Sequence, residues 1–242
     1  MMNPFTTIPK FLYGYKETLR YNRALIPELK KLRESGDLAA EREVIRKGQK
    51  RWIENVSKNF HLTFEIVGEE NVPDEGPIMV YCNHQSFADI PATLYLFRDH
   101  LQMGYIAKEE WSKYKVLRDI VHYTRSIFLK RGSGRDAIKT LSEAKEILGQ
   151  GFNLLIFPEG TRSQKHEMGE FKAGAFKFAE KAKVPILPVT VDGGYKMFEQ
   201  KGSFQPCHIK ITAHPLVHIE NMTKQEQKQA AADIEATIRS AL

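Results

Sequence analysis

Residues 76–97, GPIMVYCNHQSFADIPATLYLF, decide the fold. The short apolar run 78–82 reads as a strand. A polar stretch from Asn83 to Asp89 follows it, and the spacing predicts a helix over 89–98. A strand that passes into a helix through one short loop is a βα step, the unit from which parallel sheets are built.

The same alternation extends outward. Further strands are expected at 64–67, 105–107, 127–129, 153–157, 186–191 and 208–212. Helices are expected at about 112–122, 134–149, 173–182 and 224–241, with Ser133 and Asp136 opening the second and a Thr223/Glu226 capping box opening the last. Strands alternating with helices predict an α/β body, residues 61–242, with a mixed, largely parallel sheet flanked by helices.

Residues 1–60 differ from that body. They hold 13 Lys and Arg against 7 Asp and Glu, a surplus of 13 − 7 = +6, which is the net charge of the whole 242-residue chain. Phe11, Tyr15 and Leu19 repeat every fourth residue, and Leu25, Leu29 and Leu32 follow beyond an expected break at Pro27. Ser35-Gly36-Asp37 is a turn signal, and Trp52, Val56 and Phe60 stripe a second helix from about residue 38. This basic amphipathic helical hairpin suits two places: a lipid interface, or the surface of the core. No nucleic-acid-binding motif accompanies the basic arm, so a nucleic-acid partner is not expected.

Composition narrows the class. With 42% hydrophobic and 27% charged residues the chain is globular rather than disordered. Two cysteines, Cys82 and Cys207, cannot build a disulfide framework or a four-thiolate zinc site within one chain. The most apolar stretches, 76–88 and 87–97, fall short of the roughly 20 residues a spanning helix needs. The N-terminus lacks the pattern of a secretory signal. Contact with a membrane is therefore expected at its surface, as a peripheral protein.

Four patches carry chemistry. In NHQSFAD, 83–89, a strand end and a helix start can fold back so that Asp89 reaches one nitrogen of His84. The other nitrogen is then free to act as a general base. The pair is a catalytic triad without its serine, and a substrate hydroxyl can supply the nucleophile. Asp89 is equally a residue type that caps helices. In FPEGTRS, 157–163, Gly160 permits close backbone approach, Thr161 and Ser163 carry hydroxyls, and Arg162 offers a fork for two phosphate oxygens. In SIFLKRGSG, 126–134, Lys130 and Arg131 end a strand beside a loop that opens a helix, a second place for an anion. In VPILPV, 184–189, two prolines in an apolar strand predict an edge or a bulge.

The order of these patches resembles the four-motif signature of the glycerolipid acyltransferases, most of all the bacterial 1-acyl-sn-glycerol-3-phosphate acyltransferases. The resemblance covers about residues 65–215. It implies transfer of a fatty acyl group from a thioester, acyl carrier protein or acyl-CoA, to lysophosphatidic acid, giving phosphatidic acid with no bound cofactor or metal. It implies His84 as base and Asp89 as its orienting carboxylate. Arg131, Glu159, Gly160, Thr161 and Arg162 match the motifs around the acceptor phosphate, and Lys108 falls where a lysine often stands near it. Val184, Pro185, Ile186 and Pro188 match the motif tied to acyl binding. The arm, 1–60, looks like a membrane-docking hairpin, which places the protein on the cytoplasmic face of the cell membrane. One position departs: where the second motif often begins with glycine, this chain has Arg125. Oxyanion donors are expected among backbone amides near Gly160 or His84. Two other readings fit the residues: acylation of glycerol-3-phosphate or another lysophospholipid, and a non-catalytic protein that binds anionic lipid.

Overall fold

The computed structural model describes residues 4–129 and 134–242. Helices α1 (Pro4–Ser35) and α2 (Leu38–Phe60) form the expected hairpin. The body follows as β1 (Leu62–Val67), β2 (Met79–Cys82), α3 (Asp89–Phe97), β3 (Gly104–Lys108), α4 (Lys115–Tyr123), β4 (Ile127–Leu129), α5 (Gly134–Gly149), β5 (Leu154–Ile156), α6 (Ala173–Ala182), β6 (Ile186–Asp192), β7 (Cys207–Ala213) and α7 (Lys224–Ser240). Among the described residues the strands form one seven-stranded sheet in the order β1-β7-β6-β2-β5-β3-β4. Neighbours are parallel throughout except for β6 and β7. The expected mixed, largely parallel sheet is present.

Side chains alternate between two buried layers. Val80, Cys82, Leu155, Leu187 and Val189 face one layer, with α3. Met79, Tyr81, Leu154, Ile156 and Ile186 face the other, with α5, α6 and α7. Helix α3 follows β2 on one face and α6 follows β5 on the other, so the loops after these adjacent strands meet at the C-terminal edge of the sheet, which is where open α/β sheets bind ligands.

The hairpin is part of this core. Tyr21, Leu25 and Leu29 of α1 and Ile45 of α2 join one layer, and Ile53, Val56 and Phe60 join the other. Gly48 lets the two helices approach, since a Cβ there would collide with Leu25. The break expected at Pro27 does not occur: α1 is continuous from Pro4 to Ser35. Pro27 faces solvent, and the burial of Leu25 and Leu29 on either side holds the helix through the lost hydrogen bond. The turn is as read, with Gly36 at φ 74° and Asp37 capping α2 through the Ala40 amide at 3.0 Å. At the other end of the hairpin Ile8, Phe11, Leu12 and Tyr15 stay exposed.

Arg125 explains itself here. Its backbone lies in the left-handed region at φ 56°, a conformation that costs a non-glycine residue about 1 kcal/mol. Its guanidinium reaches Glu41 of α2 through two hydrogen bonds, at 2.8 and 2.6 Å. Arg33 of α1 pairs with the same carboxylate at 2.7 Å. The arginine is a clamp between hairpin and body.

Of the alternatives for the two prolines of 184–189, the bulge holds. β6 is an interior strand between β2 and β7. Pro188 accepts from the His214 amide at 3.0 Å, while Ile186 exchanges backbone bonds with Val217. The pairing slips by one residue between those positions, so the missing proline N–H falls where the ladder is already irregular.

Candidate active site

The loop after β2 folds as the sequence allows. Asp89 is the first residue of α3, and its carboxylate turns back onto the loop rather than capping outward. Oδ2 accepts from His84 Nδ1 at 2.7 Å and from the Ser86 amide at 2.8 Å. Asp89 is fully buried, whereas the His84 side chain keeps about 18% of its exposure. With Nδ1 tied to a carboxylate, the proton sits on Nδ1 and the Nε2 lone pair is the open position. The face of the imidazole lies on Phe157, with ring centres 3.9 Å apart and planes 12° from parallel. The ring is fixed in both rotation and tilt.

The loop after β5 is stitched to the loop after β2. The amides of Ser163 and Gln164 donate to the carbonyls of His84 and Gln85 at 2.8 and 3.1 Å. The buried Glu159 accepts from the His84 amide at 2.6 Å and from the Gly169 amide at 2.7 Å. Burial pushes the Glu159 carboxyl above its ordinary range, although both hydrogen bonds oppose this. Each of its oxygens thus holds a backbone amide, and the carboxylate fixes the position of His84. Gly160 turns the chain at φ 67°, and its amide donates to the Phe157 carbonyl at 2.9 Å. Thr161 is exposed beyond that turn. The Arg162 guanidinium carbon lies over the Phe87 ring, 3.6 Å from its centre, and the side chain pairs with Glu199 at 2.8 Å.

Other elements border the same edge of the sheet. The Asn83 side chain exchanges two hydrogen bonds with the Val191 backbone, at 2.9 and 2.8 Å, adding a rung between β2 and β6. Lys108, half-buried, ends β3 at the same edge of the sheet, paired in register with Leu129 of β4. Lys130, Arg131 and Ser133, assigned from sequence to an anion site and a helix cap, lie outside the described residues. Val184, Ile186 and Pro188 are buried in the sheet and Pro185 is half-buried beside them. Cys82 is fully buried, and burial with Asp89 and Glu159 nearby pushes its thiol well above the usual range, so it supplies no nucleophilic thiolate. Among the described residues there is no cluster of three or more His, Cys, Asp or Glu that could hold a metal ion.

Sequence reading missed four contributors. Phe157 sits inside a quoted motif, but its stacking role has no signal apart from its neighbours. Asn83 stands in the loop motif, and its pairing with β6 requires the strand order. Glu199 and Gly194 lie beyond the motifs. A Cβ on Gly194 would stand 2.7 Å from Asp89 Oδ1, closer than packing permits. Gly194→Ala is therefore expected to displace the carboxylate and lower turnover at least about tenfold, by misplacing a group that must be held within about an ångström. A kcat equal to wild type would show that Asp89 needs no such fixing.

The chain is similar to known proteins over the body that carries this site. Over 62% of its length the chain is 32% identical to a 1-acyl-sn-glycerol-3-phosphate acyltransferase of Chlamydomonas reinhardtii, covering 45% of that protein. Over 60% it is 33% identical to a probable enzyme of the same name from Mycoplasma pneumoniae, covering 55% of it. The chain thus spans about half the length of the curated relatives it matches. The crystal structure of the 1-acyl-sn-glycerophosphate acyltransferase PlsC from Thermotoga maritima shares the fold, with a TM-score of 0.71 over 96% of this chain and 95% of that one at 24% identity. The model of the family described as Acyltransferase matches residues 63–192, from β1 to the end of β6. That span holds the oriented His84, the Arg162 loop bonded to it and the strands that carry both, and the chain belongs to the acyltransferase family.

Proposed function

We propose that this protein transfers a fatty acyl group from an acyl thioester to the free sn-2 hydroxyl of lysophosphatidic acid, forming phosphatidic acid. One observation carries the reading: an imidazole tied through Nδ1 to a buried carboxylate, with Nε2 open, stitched to a loop that presents an arginine. A protein that only binds lipid needs no oriented base.

The chemistry runs as follows. Arg162, with Arg131 and Lys108, holds the acceptor's phosphate and so places its hydroxyl beside His84 Nε2. As the hydroxyl oxygen attacks the thioester carbonyl, its proton passes to Nε2, and Asp89 stabilises the imidazolium. Collapse of the tetrahedral intermediate breaks the carbon–sulfur bond, and the departing thiolate takes the proton back. Base catalysis of this kind supplies ~10²–10⁴ in rate. Acyl carrier protein and acyl-CoA are both suitable donors, and the basic surplus of residues 1–60 favours an acidic carrier.

The protein acts at the cytoplasmic face of the membrane, attached peripherally. Among the described residues no helix is long and apolar enough to cross a bilayer. The exposed Ile8, Phe11, Leu12 and Tyr15 are the docking residues, not the stripe of α2, which is buried. Replacing Ile8 and Leu12 together by aspartate is expected to weaken binding to anionic liposomes at least about tenfold while leaving the melting temperature near wild type, since neither packs on the body as Phe11 does on Phe198 and Phe204. Undiminished binding would place the attachment elsewhere.

The acceptor is tested with a panel of lysophosphatidic acid, glycerol-3-phosphate and lysophosphatidylcholine, each offered with both thioesters. Preference for lysophosphatidic acid supports the reading. Preference for glycerol-3-phosphate would move the chain to the preceding acylation step.

A further inference from the structure

Beyond the family match, which ends at residue 192, the chain returns to the site. The segment after β6 runs through Gly194, packed against Asp89, to Glu199. Only 3% of the Glu199 side chain is exposed. Its Oε1 accepts from two donors, Arg162 Nη1 at 2.8 Å and the Phe87 amide at 3.1 Å. Its Oε2 is buried and has no hydrogen-bond partner among the described residues. A buried carboxylate with one oxygen unsatisfied is costly, and here its compensation comes from the charge-assisted bond to Arg162.

We infer that Glu199 is a positioning residue: it fixes the Arg162 guanidinium over Phe87 and ties it to the loop that carries His84. The inference rests on the reading of Arg162 as a phosphate-holding group. The geometry assigns the arginine two separate restraints: the cation–π contact with the Phe87 ring, and the bond from Nη1 to Glu199. Engaging one Nη1 hydrogen leaves the remaining donors of the fork for an incoming anion. A free arginine would have to be ordered by each acceptor molecule that binds.

Immobilising one long side chain is worth roughly two- to twelvefold in affinity. Glu199→Ala is therefore expected to raise the KM for lysophosphatidic acid about tenfold. The KM for the thioester should not change, and kcat should stay within about threefold of wild type. Glu199→Gln keeps an acceptor oxygen for Arg162 and the Phe87 amide, so it should recover most of the loss. An unchanged or lowered KM in Glu199→Ala, as expected if the carboxylate merely competed with the phosphate, overturns the inference. So does a fall in kcat equal to the rise in KM. If wild-type protein makes no product from lysophosphatidic acid, the acceptor reading fails by itself. Isotope-edited NMR of the arginine side chains then decides the matter for Glu199. A guanidinium signal of Arg162 that is sharp in wild type and broadened by solvent exchange in Glu199→Ala supports positioning; identical signals overturn it.

Discussion

His84→Ala is expected to lower kcat by ~10²–10⁴, with little change in the KM for either substrate. The loss follows from the position of Nε2, the open nitrogen of an imidazole whose other nitrogen meets Asp89 at 2.7 Å. No neighbour can replace it. The Cys82 thiol is buried, and Glu159 has both oxygens on backbone amides. Asp89→Asn should lose less. Its amide oxygen can take the place of Oδ2 and accept from both His84 Nδ1 and the Ser86 amide, so the ring and its tautomer stay, but the charge that stabilises the imidazolium is gone. Circular dichroism and thermal melting should show both variants folded. Activity in His84→Ala within a few-fold of wild type would remove the base from the mechanism.

Glu41→Gln is expected to destabilise the protein strongly although it lies outside the site. Glu41 is fully buried between Arg33 and Arg125, which keep about a fifth of their side-chain exposure. Breaking a buried ion pair on one side costs roughly 3–5 kcal/mol, and the low end applies because both arginines can still reach water. For a chain of this size that is a fall in melting temperature of about 6–12 °C. The pH dependence gives a second readout. Burial raises the Glu41 carboxyl, but the hydrogen bonds and charges of Arg125 and Arg33 overturn this and hold it below its ordinary value of 4.5. A depressed carboxyl contributes stability that is full above that ordinary value and lost as pH falls through the folded one. Wild type should therefore lose stability on acidification below about pH 4.5 more steeply than Glu41→Gln. Parallel acid curves for the two proteins would show that the carboxylate is not paired as described.

Much of this was legible in the residues. The βα step at 76–97 set the sheet type, and the Thr223/Glu226 box marked the start of α7, where both of its reciprocal bonds are present. Local spacing carries such features because strands, helices and caps are satisfied within a few residues. The His84–Asp89 pair was legible for the same reason, being five positions apart in one loop. What the sequence withheld depends on distant segments. Pro27 reads as a break until Leu25 and Leu29 are seen buried on both sides of it. Arg125 reads as a departure from a motif until its left-handed backbone and its bonds to Glu41, 84 positions away, are known. Glu199 has no motif at all, and its importance comes only from lying 2.8 Å from Arg162. That the Glu159 carboxylate takes the amide of His84, 75 positions away, is likewise invisible until the two loops are seen together.

The most direct test offers purified protein on anionic liposomes lysophosphatidic acid and an isotopically labelled acyl thioester, with His84→Ala in parallel, and reads the lipid products by mass spectrometry. Label appearing in phosphatidic acid with wild type, and falling by at least about a hundredfold with the variant, is the result expected from an oriented base acting on the acceptor hydroxyl. Label remaining in the thioester with wild type, on liposomes to which the protein is bound, would contradict it.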